Sequence, residues 1–138
     1  MTGIQKCVVA LAALILLGCG PKNERWVEPG LASELHAQGE LLLDVREPDD
    51  YQEFHIANTM NIPFGRLASR LAELESYKDK TVLVIDHSEL RAPRILELLQ
   101  KAGFTQVFIV KGGMVGWKAA GLPVEKMDIP PQPVPGSN

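Results

Sequence analysis

The sequence predicts a single α/β domain, a three-layer arrangement in which a small, mostly parallel sheet is flanked by helices. Three observations carry this. Residues 41–45, 81–85 and 106–110 are short, nearly continuous apolar runs, the pattern of strands buried on both faces. Segments of helical period lie between them, and strands alternating with helices call for parallel connections. The 138 residues suffice for one hydrophobic core but not for two.

Each element has its own signal. Residues 31–38 place Leu31, Ala32 and Leu35 at helical spacing ahead of Gly39, which predicts a short helix. Leu41-Leu42-Leu43-Asp44-Val45 reads as a buried strand. Residues 48–54 form a short helix whose first turn accepts Pro48. A brief strand over 60–62 precedes Pro63, and Leu67, Leu71 and Leu74 then space out a helix with Arg66, Arg70 and Glu73 on its wet side. Thr81-Val82-Leu83-Val84-Ile85 is the most β-branched stretch and should be the central strand. Residues 91–101 make a helix packing through Ile95, Leu98 and Leu99, closed by Gly103. A strand over 106–110, Gly112-Gly113 and a helix over 114–120 complete the domain.

Both ends differ in kind from this middle. After one lysine, residues 7–17 are uninterrupted apolar. That is about half of the roughly 20 residues needed to span a bilayer, and it fits the h-region of a signal peptide. The run ends in Leu16-Leu17-Gly18-Cys19, which resembles the bacterial lipobox. The resemblance implies a signal peptide over 1–18, lipidation of Cys19 and a tether over 19–27. It further implies a lipid anchor in a bacterial envelope on the periplasmic face, with Gly20 favouring the outer membrane in a Gram-negative host. The only cysteines are Cys7 and Cys19, so the processed chain would carry neither a free thiol nor a disulfide. The folded domain is expected over 28–126. The tail over 127–138 holds Pro130, Pro131, Pro133 and Pro135 and cannot supply the donors of a helix or sheet. A formal net charge of −3, no run of basic residues and 6% aromatics argue against a nucleic-acid partner.

Ligands of open α/β sheets bind beyond the carboxyl ends of the strands. After the central strand the loop reads Asp86-His87-Ser88-Glu89-Leu90-Arg91 and runs straight into a helix. A tight loop on a helix start aims several backbone N–H groups into one concavity, which favours an anion. Asp86, His87 and Ser88 do not make a catalytic triad, because consecutive side chains diverge. Asp86, His87 and Glu89 match no zinc spacing, so neither a metal nor a cofactor is expected. An aspartyl-phosphate at Asp86 would lack any partner motif.

The ordered set of motifs resembles the rhodanese-like domain, from about residue 28 to 126. Leu42-Leu43-Asp44-Val45-Arg46-Glu47-Pro48 is similar to the strand and turn that open the family's domain. Tyr51, His55-Ile56 and Asn61-Ile62-Pro63 follow in place, as do Lys101-Ala102-Gly103-Phe104, Gly112-Gly113, Trp117 and Gly121-Leu122-Pro123. In that family the loop after the central strand begins with a cysteine that carries sulfane sulfur as a persulfide. The resemblance sets Asp86 at that position and Arg91 at the arginine that closes the loop. Glu89, Phe54 and Asn58 stand where the family often has glycines, and Glu89 adds a negative charge to the loop.

A carboxylate forms no reversible bond to sulfane sulfur, so the reading is a membrane-tethered module that has lost sulfurtransferase chemistry and recognises an unknown protein or small anion. The rival is a sulfurtransferase-related enzyme that borrows a partner's thiol. The Asp86 carboxylate is expected to fill the nest of its own loop, accepting two or three backbone N–H bonds. Asp44 and Arg46 are read as a buried ion pair bracing the site. His55 is expected to be a core histidine bonded to backbone, Trp117 a packing residue, and His36 a solvent-facing side chain.

Overall fold

The computed structural model describes residues 25–127. The expected signal segment, residues 19–24 of the expected tether and residues 128–138 of the tail lie outside them.

Five strands form one sheet: β1 (Trp26–Val27), β2 (Leu41–Asp44), β3 (Met60–Asn61), β4 (Thr81–Ile85) and β5 (Gln106–Val110). Their spatial order is β1-β5-β4-β2-β3, and every neighbouring pair is parallel. The helices are α1 (Pro29–Ala37), α2 (Pro48–Glu53), α3 (Phe64–Leu67), α4 (Ala92–Lys101) and α5 (Gly113–Ala119), with a 3₁₀ helix over Ala68–Tyr77 between α3 and β4.

Alternation along the strands divides the core into two layers, as side chains of successive residues leave opposite faces. Leu41, Leu43, Val82, Val84, Val107 and Ile109 pack on Leu67, Leu74, Ile95 and Leu99. Leu42, Leu83, Ile85 and Val110 pack on Ala32, Met114 and Trp117. Each fully buried leucine contributes on the order of 2 kcal/mol of transfer free energy, so both helical layers are firmly held. β4 is the central strand, as its β-branched run predicts.

Two elements depart from the sequence reading. Trp26 and Val27, assigned to the tether, are the edge strand β1, paired with Ile109 and Val110. Two residues have no periodicity to detect, and only the waiting edge of β5 makes them a strand. The segment after Leu67 was expected as an α-helix and winds as a 3₁₀ helix instead. In a 3₁₀ helix residues three apart share a face. Leu71, Leu74 and Tyr77 fall on that spacing and pack on the core, and Arg70 and Glu73 pair at the same interval.

Candidate functional site

The site lies at the carboxyl edge, where β4 leaves the sheet between β5 and β2. Asp86 follows β4 directly and is 5% exposed. Its Oδ1 accepts the His87 N–H at 2.7 Å and the Arg91 Nη2 at 2.5 Å, and its Oδ2 accepts the Arg91 Nε at 2.8 Å. This corrects the sequence expectation. Only one backbone amide serves the carboxylate, and a forked guanidinium supplies the rest. Arg91 sits on the last residue before α4, five positions on, so the loop curls far enough for the fork to meet both oxygens. Bidentate, charge-assisted bonds of this kind exceed neutral ones in strength and fix geometry.

The Arg91 guanidinium lies over the Phe64 ring at 5.3 Å, and its pKa is raised, first by the hydrogen bonds to Asp86 and then, against the opposing effect of burial, by the nearby charges of Asp86, Glu47 and Asp50. It stays a cation at any working pH. The backbone amides of Ser88, Glu89, Leu90 and Arg91 meet no acceptor among the described residues.

Glycines clamp the loop from the β5 side. The Asp86 carbonyl accepts the Met114 N–H at 2.8 Å, and the His87 carbonyl accepts the Val115 N–H at 3.4 Å. Gly113 has φ +57°, and a β-carbon there would lie 2.5 Å from the Asp86 carbonyl oxygen. Glu89, read from sequence as a negative charge added to the loop, turns its carboxylate onto the Gly112 N–H. It ties the loop to the start of α5. His87 is exposed, and its imidazole makes no hydrogen bond to Asp86 or Ser88 among the described residues.

Asp44 and Arg46 brace the β2 side. Both are buried, and the Arg46 Nη2 reaches the Asp44 Oδ2 at 2.8 Å. The same guanidinium donates to the carbonyls of Asp50 and Phe54, so it pins the middle and the C-terminal end of α2 to the edge of the sheet. Asn61, which sequence reasoning missed, donates its amide to the carbonyls of Asp44 and Arg46, both at 3.0 Å. Its signal in the sequence was its place in the Asn61-Ile62-Pro63 motif, which assigned it no role.

His55 is buried, with Nδ1 at 3.0 Å from the Tyr51 carbonyl and its ring stacked on Tyr51 at 4.3 Å. Trp117 is buried and donates its indole N–H to the Pro123 carbonyl. His36 is not solvent-facing. It is half-buried, with Nδ1 at 3.0 Å from the Glu40 carbonyl and Nε2 at 2.8 Å from the Ala57 carbonyl. It lines a shallow cleft of about 330 Å³ with Ser33, Ile56, Asn58, Trp117 and Glu125, to which the Asp86 loop contributes nothing.

The profile of the rhodanese-like domain matches residues 28–120. The chain belongs to the rhodanese-like family. Its fold agrees with the crystal structure of the Alr3790 protein from Anabaena, at a TM-score of 0.67 and 27% identity, covering 75% of this chain and 94% of that one. Among curated relatives, the uncharacterized protein YibN of Escherichia coli is 37% identical over 91 residues, which are 65% of this chain and 64% of YibN. The thiosulfate sulfurtransferase GlpE of Coxiella burnetii is 32% identical over 79 residues, 57% of this chain and 72% of GlpE. The chain thus spans slightly less than two thirds of YibN.

Proposed function

We propose that this rhodanese-like protein does not transfer sulfur by itself and serves as a binding or regulatory module on a membrane. The observation that carries the reading is the Asp86–Arg91 pair. Asp86 begins the loop after the central strand, where the family holds its catalytic cysteine, and its two oxygens are taken up by one guanidinium and one amide. Thiolate is the nucleophile that accepts sulfane sulfur, and carboxylate has no comparable reversible bond to offer. No cysteine lies between residues 25 and 127.

The loop keeps a means of recognition. The free amides of Ser88 to Arg91 are donors suited to a small anion or to an acidic or carbonyl group of a protein partner. Anchoring is proposed through the lipidated Cys19 after the lipobox-like Leu16-Leu17-Gly18, in the envelope of a bacterium. Two or three acyl chains on one residue hold a protein stably at a bilayer. The same amides support a second reading, in which a partner's persulfide is held over the loop and this chain assists its transfer.

The test is thiosulfate-to-cyanide sulfur transfer by the purified protein. Background rates are expected, before and after alkylation of contaminating thiols. Turnover that persists after alkylation would overturn the proposal. Turnover appearing only with a thiol-bearing partner would favour the second reading.

A further inference from the structure

Among the described residues, three large apolar side chains are more than half exposed: Leu90 at 90%, Val115 at 56% and Leu31 at 51%. All three stand on one edge of the molecule. Leu90 lies in the loop between β4 and α4, Val115 in the first turn of α5 after β5, and Leu31 in the first turn of α1 after β1. Because β1, β5 and β4 are consecutive neighbours in a parallel sheet, their three exits lie side by side, roughly 5 Å apart.

These exits are also braced to one another. Glu28 before α1 pairs with Lys111 after β5, Glu89 takes the Gly112 N–H, and the Val115 N–H meets the His87 carbonyl. The apolar groups therefore stand on cross-linked turns. A grouped, rigid set of exposed apolar side chains marks an interaction surface, whereas single ones do not. On the β2 side of the same edge, Glu47, Asp49 and Asp50 are exposed and enter no ion pair among the described residues. Glu47 and Asp50 act on the Arg91 guanidinium and so border the loop. Lys111 and Arg91, which adjoin the apolar groups, are engaged by Glu28 and Asp86.

We propose that this edge docks a protein segment carrying an apolar anchor next to lysine or arginine, with the anchor on Leu31, Val115 and Leu90 and the basic residues on Glu47, Asp49 and Asp50. The inference rests on the reading of the edge as a binding face and names its partner's chemistry. Charge complementarity selects that occupant. A second copy of this chain brings the same acidic flank, which opposes its own copy across a two-fold contact. An anionic bilayer surface is repelled for the same reason.

The experiment uses the full-length protein in detergent and two fluorescent amphipathic peptides of equal length and leucine content, one built on Leu and Lys, the other on Leu and Glu. The Leu/Lys peptide should bind, and hydrogen exchange should slow over 28–33, 47–50, 87–91 and 113–117. Leu90→Asp should weaken binding about tenfold or more, the loss typical of a central anchor. Glu47→Lys with Asp49→Lys should shift preference toward the Leu/Glu peptide, with circular dichroism unchanged in each variant. Equal binding of both peptides, no binding of either, protection centred on the Trp117 cleft, or indifference to Leu90→Asp would each overturn the docking surface. Sulfur transfer measured on the same preparation separates the two readings. Turnover would sink the non-catalytic reading and leave the docking result standing, while absent turnover with absent peptide binding would sink the docking surface alone.

Discussion

Gly113 passes so close to Asp86 that a β-carbon on the glycine would lie 2.5 Å from the aspartate's carbonyl oxygen. The next residue, Met114, donates its N–H to that same oxygen at 2.8 Å. The start of α5 is thus the wall against which the loop is cast, and both contacts are between main chains, which cannot yield as a flexible side chain would.

Gly113→Ala is therefore expected to distort the loop. A positive φ and a backbone clash together should cost about 2–4 kcal/mol. Chemical denaturation should report the loss, and hydrogen exchange should rise first over 86–91. A fully stable Gly113→Ala variant would contradict the close approach.

The Asp86–Arg91 pair predicts unequal consequences for its two members. Arg91→Ala leaves a nearly buried carboxylate with one amide for support, and a loss of roughly 2–3 kcal/mol is expected. Asp86→Asn keeps the shape and removes the stranded charge, so its loss should be smaller, about 1–2 kcal/mol. Urea midpoints of the two variants would rank them, and the reverse order would contradict the assignment.

Asp86→Cys places a thiol next to the His87 amide and beside a freed Arg91, whose charge lowers a thiol's pKa. Incubation with thiosulfate should add one sulfur atom, visible by intact mass, while the unsubstituted chain gains none on its domain. Should the variant fail to gain sulfur until Glu89→Gly is added, the Glu89–Gly112 tie is what closes the loop.

Arg46 is 1% exposed and holds Asp44 and the carbonyls of Asp50 and Phe54 in and after α2. Its replacement by alanine leaves Asp44 buried without its cation, at a cost of about 3–5 kcal/mol. Thermal unfolding should show the largest single-residue drop of this series. A change confined to surface mobility of α2 would mean that the pair is weaker than its burial indicates.

Cys19→Ser removes the sulfur that lipidation requires. The variant should leave the membrane fraction on cell lysis, and continued tight association would contradict the proposed anchor.

The α/β class and the central place of β4 were legible in the sequence. The runs at 41–45, 81–85 and 106–110 have no wet face, and such strands fold only as the inside of a covered sheet. Asp86 was visible from its place at the start of the loop after the central strand, and Asp44, Arg46 and Arg91 from the rhodanese-like motifs that hold them. The partner of Asp86 was not, since sequence order alone cannot tell a loop that offers its amides inward from one that curls until Arg91 meets the carboxylate. Glu89's bond to Gly112, Asn61's bridge, the β1 edge and the lodging of His36 between two carbonyls were decided by tertiary structure alone. Each joins groups from different elements, at distances set by packing of the whole sheet. Periodicity reports which face of one segment is dry, and only the assembled fold determines which neighbour that face, or its polar rim, will meet.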